Sequence, residues 1–144
     1  MRVPRIFIFD IIDTNDEYIL DRDQSHYLKN VLRLKMSMKV HLFNGSGYEY
    51  LGIINKISKN SVNVAVLSKE KKHNESPLKV HLIIAISRAS KFDYLIQKLT
   101  ELGVSSITPI QSERSEIKIR SKDQSKKIEH WGKIAISACQ QCDR

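Results

Sequence analysis

The stretch KFDYLIQKLTELGVSSITPIQSERS, residues 91–115, decides the fold predicted for the second half of the chain. Its first part predicts an amphipathic helix, because apolar residues recur on one face. That face consists of Phe92, Leu95, Ile96, Leu99 and Leu102. Gly103 follows as a C-terminal cap, and residues 104–110 predict a strand. The polar residues 111–114 then end the stretch, and a buried core would not accept them.

The neighbouring segments extend this stretch into a β-α-β-α unit. KVHLIIAI (79–86) precedes the helix and is continuously apolar, which is typical of a strand buried on both faces of a parallel sheet. Residues 121–142 predict a long helix that begins with Ser121 and Gln124 as a capping box. The apolar face predicted for this helix consists of Ile128, Trp131, Ala135, Ala138 and Cys142.

The polar ends of the two predicted strands are the first candidate site. The two strands of a right-handed β-α-β unit run in the same direction, so their carboxyl ends share one edge of the sheet. Ligands of open α/β sheets bind at that edge. The first strand ends in Ser87-Arg88 and the second in residues 111–114, so we expect these residues to line a cleft with Arg88 beside Arg114. Ordinary solvated loops are the alternative.

The first half of the chain has a different pattern. Short alternating segments separated by tight turns predict a small antiparallel sheet or barrel. These segments are RIFIF (5–9), MKVHLF (38–43), YEYLGIINKIS (48–58) and SVNVAVL (61–67). A helix with Asp cap candidates is predicted over DRDQSHYLKNVLRL (21–34). The polar segment SKEKKHNESP (68–77) is the predicted linker between the two halves.

The charge of the chain is regional. Lys and Arg total 24 against 16 for Asp and Glu, a net charge of +8. Residues 10–23 are acidic, whereas residues 24–72 carry nine Lys and Arg against two Glu. Such a surplus favours a polyanionic partner, although solubility alone can explain a basic composition.

The chain termini and the cysteines exclude other classes. MRVPRIFIFD lacks the apolar region of a signal peptide, and no run approaches the roughly 18 apolar residues that span a bilayer. We therefore expect a soluble, cytoplasmic protein with no membrane partner. Cys139 and Cys142 form a lone C-x-x-C. Zinc needs four ligands, and the nearest histidine, His130, lies on the same predicted helix with no fourth partner, so no metal site is expected. Packed, reduced thiols are the expected state, because the pair lies at the far end of its predicted helix.

Four segments resemble the bacterial 16S ribosomal RNA uridine-N3 methyltransferases, the RsmE family of the SPOUT (trefoil-knot) methyltransferases. They are MRVPR (1–5), HYLKNVLRL (26–34) with VHLFNGSG (40–47), residues 91–115, and WGKIAISACQQCDR (131–144). The resemblance implies an α+β protein in two parts. A PUA-like RNA-binding β-barrel would occupy residues 1–70, and a linker residues 71–77. An incomplete α/β (β-α-β-α) portion of a SPOUT methyltransferase domain would occupy residues 78–144.

The resemblance also implies a reaction. Family members transfer a methyl group from S-adenosylmethionine to the N3 nitrogen of a uridine in 16S ribosomal RNA, so the small ribosomal subunit is the expected partner. The family's Gly-Pro-Glu-Gly-Gly loop and its later Leu-Arg-x-Glu-Thr-Ala segment hold the cofactor. Neither has a counterpart in this chain, so no cofactor-binding residue is expected here. A homodimer is implied for longer members.

Candidate residues follow from this chemistry. The reaction needs a base for the N3–H and cations for the resulting anion. Glu113 is the only carboxylate on the predicted rim and is the expected base, with Arg88 and Arg114 as cations. RNA contacts are expected from Arg2, Arg5, His26, Lys29, Arg33, Lys35 and Arg144. Lys29 and Arg33 are four residues apart and are expected to share a helix face.

Two alternatives remain open. The chain could be a catalytically inactive RNA-binding module, in which the candidates for base stacking are His26, Tyr27, Tyr48 and Tyr50. An unrelated nucleotide-binding α/β protein is disfavoured, because residues 104–131 contain no glycine and hence no phosphate-cradling loop.

Overall fold

A computed structural model describes residues 3–113 and 117–144. The chain divides into two compact units, Met1–His73 and Asn74–Arg144. The division falls within the segment that the sequence predicts as a linker. Two of the predicted site residues, Arg2 and Arg114, lie outside the described residues.

The first unit is built on one five-stranded sheet. Its elements are β1 (Arg5–Phe7), β2 (Glu17–Ile19), α1 (Arg22–His26), a π-helical turn (Tyr27–Val31), β3 (Lys39–Phe43), β4 (Tyr48–Ile57) and β5 (Val62–Lys71). The strand order is β1-β3-β4-β5-β2. The alternating strands pack one face on a core formed by Ile6, Ile8, Ile12, Leu20, Leu28, Leu34, Val40, Leu42, Tyr50, Ile54, Val62, Val64 and Val66.

The prediction of a purely antiparallel sheet is wrong at one position. β1 runs parallel to β3, whereas the pairs β3–β4, β4–β5 and β2–β5 are antiparallel. A parallel pair needs a long crossover connection, and the chain between Phe7 and Lys39 supplies it. Strand β2 lies in this crossover and was not predicted. Strand β5 continues to Lys71, so the first residues of the polar segment belong to the sheet.

The helix predicted over residues 21–34 is divided. Asp21 confirms the expected cap, since its side chain accepts from Gln24 N at 2.8 Å and its N–H donates to Gln24 Oε1 at 3.2 Å. The α-helix ends at His26 and the π-helical turn follows, with Leu32 N bonded to Tyr27 O at 2.9 Å. Arg33 lies beyond the turn with a left-handed φ of 53°. The prediction that Lys29 and Arg33 share a helix face is therefore wrong.

The second unit has the predicted β-α-β-α order. Its elements are β6 (His81–Ala85), α2 (Ala89–Glu101), β7 (Ser106–Ile110) and α3 (Ser121–Cys142). β6 and β7 are parallel, with Ala85 opposite Ile110. The predicted burial on both sheet faces is wrong within the described residues. Leu82 and Ile84 are half-buried on one face, but Ile83 on the other is 64% exposed.

The two helices of this unit pack through Phe92 and Trp131, whose ring centroids are 4.7 Å apart. Gly103 has a φ of 88° and donates to Thr100 O, which confirms the predicted cap of α2. The capping box predicted for α3 is wrong, because Arg120 occupies the N-cap position and makes no side-chain cap bond. Two residues predicted on the apolar faces, Leu102 and Ile128, are exposed. Leu102 follows the last turn of α2, so it lies past the packed face.

Candidate functional site

The carboxyl ends of β6 and β7 meet at one edge of the second sheet. Ile86 N donates to Ile110 O at 2.9 Å, directly after the last paired residues of the two strands. The chain then leaves the sheet through Ser87-Arg88 on one strand and through residues 111–113 on the other. The topology thus brings the two polar segments to the same edge, as a parallel pair requires.

Arg88 is fixed to this edge by the helix that follows it. It is the N-cap residue of α2, and its carbonyl oxygen accepts from Lys91 N at 2.9 Å and from Phe92 N at 3.0 Å. Its side chain is exposed. The backbone of Arg88 is therefore anchored at the edge of the sheet where β6 and β7 end.

Glu113 lies on the segment that leaves β7 and is exposed. Two residues earlier, Gln111 Oε1 accepts from Ile119 N at 2.8 Å, which ties the start of this segment to its return. An exposed carboxylate and an exposed guanidinium thus follow neighbouring parallel strands. This combination can accept a proton and stabilise an anion. Arg114, the second predicted cation, lies outside the described residues.

Arg5, predicted to contact RNA, is buried instead. Its Nε lies 2.5 Å from Glu49 Oε1, and both side chains are almost inaccessible, at 4% and 5% exposed. Its guanidinium also lies over the Phe43 ring, 4.3 Å from the centroid. Arg5 therefore stabilises the sheet of the first unit and does not form part of an exposed RNA surface.

Glu49 is a hub of basic groups in this core. Lys72 Nζ lies 2.8 Å and His41 Nδ1 3.2 Å from its Oε2. Burial alone would raise the pKa of Glu49. Hydrogen bonds from Lys72 and Arg5, with the charges of His41 and Arg5, outweigh burial and hold that pKa below its ordinary value. Lys72, which counted toward the basic surplus of the sequence, is thus partly neutralised by Glu49.

The remaining RNA candidates of the first unit lie around the π-helical turn. Lys29 is half-buried, and its Nζ donates to Ser58 O at 3.2 Å and to Lys59 O at 3.0 Å. Lys29 thus ties the π-helical turn to the β4–β5 connection. His26, Arg33 and Lys35 are exposed. Arg33 in particular extends from a left-handed backbone position that an arginine rarely adopts, and such positions cluster at functional sites.

Arg144 is a structural anchor of the second unit. Its Nε and Nη2 bind the two carboxylate oxygens of Glu75 at 2.6 and 2.9 Å, and its Nη1 donates to Thr100 O at 2.9 Å. The hydrogen bond between the partners raises the pKa of Arg144 and lowers that of Glu75. A bidentate pair of this kind, with the bond to Thr100 O, holds the end of α3 against α2.

Other classes of site are absent from the described ranges. No group of three or more His, Cys, Asp and Glu side chains within residues 3–113 and 117–144 is arranged to hold a metal ion. In the same ranges, no helix is long and apolar enough to cross a membrane. Cys139 and Cys142 are not joined by a disulfide, and both are half-buried.

Comparison with known proteins identifies both units. Residues 20–67 match the RNA methyltransferase PUA domain, and residues 74–144 match the RNA methyltransferase domain. The chain is 41% identical over 143 residues to the ribosomal RNA small subunit methyltransferase E of Buchnera aphidicola from Acyrthosiphon pisum. The chain belongs to the ribosomal RNA small subunit methyltransferase E (RsmE) family. The predicted membership is thereby confirmed.

Two solved structures of methyltransferases confirm the fold class. A methyltransferase of Legionella pneumophila with bound S-adenosylmethionine matches with a TM-score of 0.94 and 35% identity. The alignment covers 100% of this chain and 60% of the Legionella chain. The ribosomal RNA small subunit methyltransferase E of Neisseria gonorrhoeae, bound to S-adenosyl methionine, matches with a TM-score of 0.90 and 30% identity, with 99% of this chain and 58% of that one covered.

This chain spans only part of each of these relatives, and 56% of the Buchnera protein. The α+β arrangement is therefore a PUA-like domain followed by part of a SPOUT-type domain. Both solved relatives bind S-adenosylmethionine, so the fit of that cofactor to the described residues can be tested. None of the five glycines follows β6 or β7, so these loops offer no position where bare backbone approaches a ligand.

Proposed function

We propose that this chain supplies the RNA-binding domain and the uridine-facing edge of an S-adenosylmethionine-dependent methyltransferase. The proposed product is N3-methyluridine in 16S ribosomal RNA, and the proposed partner is the small ribosomal subunit in the cytoplasm. One observation carries this assignment. In a chain of the RsmE family, an exposed carboxylate, Glu113, and an exposed guanidinium, Arg88, follow the carboxyl ends of two adjacent parallel strands.

The chemistry assigned to these residues concerns the uridine alone. The neutral imide nitrogen is a poor nucleophile, so its proton must leave before or during methyl transfer. The Glu113 carboxylate accepts that proton from N3, and Arg88 and Arg114 stabilise the negative charge that spreads over the imide. A positioned base of this kind contributes about 10²–10⁴ in rate. The methyl group comes from S-adenosylmethionine.

RNA binding is assigned to the exposed basic residues near the π-helical turn. Arg33 and Lys35 are exposed, and in residues 3–113 and 117–144 neither has an ion-pair partner. Each phosphate neutralised on a single strand adds about −0.7 to the slope of log affinity against log salt. Replacing both residues by alanine is therefore expected to flatten the slope by about 1.4. Lys29→Ala is expected to act mainly on stability, because Lys29 already binds two carbonyl oxygens.

The decisive experiment is a methyl-transfer assay on small ribosomal subunits that lack the modification. Two proteins are compared, the 144-residue chain and a fusion of this chain to the C-terminal part of the Legionella relative. We expect the fusion to form N3-methyluridine, identified by nucleoside analysis, and the chain alone to bind RNA without transfer. The intact Legionella protein is the positive control. A correctly folded fusion that yields no N3-methyluridine, beside an active control, refutes the proposal.

A second candidate is an RNA-binding module without catalysis. The lack of glycine in the loops that follow β6 and β7 favours it. Calorimetry with S-adenosylmethionine separates the two hypotheses. Both predict no micromolar binding to the chain alone, but only the methyltransferase hypothesis predicts binding to the fusion. The homodimer that the family resemblance implies belongs to the first proposal, and light scattering of the fusion tests it.

A further inference from the structure

The β4–β5 hairpin continues past the point where the sheet of the first unit ends. β5 pairs with β2 only through Asn63–Ala65, whereas its pairing with β4 continues until Lys71 lies opposite Tyr48. Along residues 67–71, β5 therefore has a strand neighbour on one side only within the described part of the chain. The last rungs of this hairpin form an exposed sheet edge.

One face of these rungs combines an aromatic ring with two lysines. Directly opposite residues project to the same face, so Tyr48 lies beside Lys71, and Tyr50 beside Lys69. Tyr50 is 5% exposed and closes the core, whereas Tyr48 is 38% exposed. Lys69 Nζ lies 5.6 Å from the centroid of the Tyr48 ring. We call Tyr48, Lys69 and Lys71 the hairpin-end patch.

The charge of this patch is not neutralised by neighbouring carboxylates. On the opposite face of the same rungs, Glu49 is buried and already bound by Arg5 and Lys72. Across residues 3–113 and 117–144, neither Lys69 nor Lys71 takes part in an ion pair. Exposed lysines that flank an exposed ring are the combination that single-stranded nucleic acid recognises, through phosphate and base respectively.

We propose that the hairpin-end patch binds unpaired RNA, with one base stacked on Tyr48 and the flanking phosphates bound by Lys69 and Lys71. This inference rests on the proposed function for its choice of RNA as partner. It adds a contact separate from the residues around the π-helical turn.

The binding strength of a stacked base exceeds that of the contact between Lys69 and Tyr48 that exists without RNA. A base stacked on an aromatic side chain strengthens binding by roughly five- to a hundred-fold. The exposed contact between Lys69 and the Tyr48 ring corresponds to only about two- to five-fold. An incoming base can therefore displace the ammonium group from the ring, and the ammonium group then reaches a phosphate. Paired bases cannot stack in this way, so the patch should prefer single strands.

A purely protective role is the competing explanation. Lysines on an exposed edge prevent the strand from pairing with other chains. That role needs charge but no aromatic ring, so the ring distinguishes the two explanations.

The test measures binding of the 144-residue chain to a labelled 12-nucleotide oligouridine and to a duplex of the same length, over a series of salt concentrations. Tyr48→Ala is expected to weaken oligouridine binding about five- to a hundred-fold. Tyr48→Phe keeps the ring and should bind nearly as the parent does. The double variant Lys69→Ala, Lys71→Ala should flatten the salt slope by about 1.4.

The second unit offers a matched control. Tyr94 lies under Lys98 at the same 5.6 Å, but Lys98 is paired with Glu101 at 2.7 Å, so that site carries no free charge. Tyr94→Ala should leave oligouridine binding unchanged. Thermal unfolding of each variant confirms folding, and the lysine pair serves as the test if Tyr48→Ala does not fold.

Several results would overturn the inference. These are an absence of oligouridine binding at low salt, an unchanged affinity in Tyr48→Ala, and an equal loss in Tyr48→Phe. If Tyr48→Ala does not fold, an unchanged salt slope in the double variant Lys69→Ala, Lys71→Ala would also overturn the inference. Methyl transfer by the fusion is scored separately. Loss of transfer with intact oligouridine binding contradicts the proposed function alone, and normal transfer with unchanged Tyr48→Ala affinity contradicts this inference alone.

Discussion

Replacing Glu49 by Gln removes the charge at the centre of the buried cluster in the first unit. Its partner Arg5 is 4% exposed at the side chain and cannot recover the lost contact from water. Removing one partner of a buried ion pair typically costs about 3–5 kcal/mol, because the other charge is left uncompensated. Gln retains one acceptor oxygen and the volume of Glu, so we expect a loss of about 3 kcal/mol in the free energy of unfolding.

The assay is unfolding in urea, monitored through hydrogen exchange of the amides in β3, β4 and β5. These amides report on the first unit. Glu70→Gln is the matched control, since Glu70 lies directly opposite Glu49 but is exposed. We expect it to change stability by no more than about 0.5 kcal/mol. If Glu49→Gln costs as little as Glu70→Gln, the buried pair does not stabilise the sheet and this reasoning is wrong.

The same cluster predicts a pH dependence. The pKa of Glu49 is lower in the folded chain than its ordinary value, so the folded state favours the ionised carboxylate. Its contribution is complete above the unfolded pKa of about 4.3 and disappears as the pH falls through the folded pKa. The stability difference between the parent chain and Glu49→Gln should therefore hold steady above about pH 5 and shrink on acidification below about 4.3. A difference that grows on acidification would contradict the lowered pKa.

Three backbone substitutions test local geometry. Gly103→Ala should lower the free energy of unfolding by about 1 kcal/mol. Its φ of 88° disfavours a side chain, although the space around it is open. The fluorescence of the single tryptophan during urea unfolding measures the loss. Ser37→Gly should raise the free energy of unfolding by about 0.5 kcal/mol, since Ser37 has a φ of 68° that glycine adopts more easily. A urea titration monitored by circular dichroism measures the gain. Gly52→Ala should cost about 1–3 kcal/mol by hydrogen exchange, as its Cβ would lie 2.4 Å from Val64 Cγ1. Changes of the opposite sign would contradict these three assignments.

The second unit was predictable because its signals are local. Helical periodicity identified Phe92, Ile96 and Trp131 as packed residues, and the glycine after α2 marked its end. The shared edge of β6 and β7 followed from the handedness of a β-α-β unit. The exposure of the second sheet face was not predicted at Ile83, because an apolar strand has the same sequence whether or not a layer covers it.

The first unit was less predictable because its decisive contacts are distant in sequence. Arg5 and Glu49 are separated by 44 residues, and neither carries a local signal of burial. β2 has only three residues in an acidic segment, and its place is set by pairing with β5. The π-helical turn has i→i+5 hydrogen bonds over a single turn, and one turn is too short for the periodicity of residues 21–34 to distinguish it from an α-helix. The hairpin-end patch became visible only through the β4–β5 register.

The most direct test of the central claim is the single-turnover rate of methyl transfer by the fusion carrying Glu113→Gln. The substitution keeps the shape of the side chain and removes its ability to accept the N3 proton. Glu129→Gln, at an exposed position of α3, is the matched control and should react at the parent rate. We predict that Glu113→Gln slows transfer by about 10²–10⁴ while RNA affinity stays nearly constant. Near-normal turnover in Glu113→Gln would contradict the claim and place the base outside this edge of the sheet.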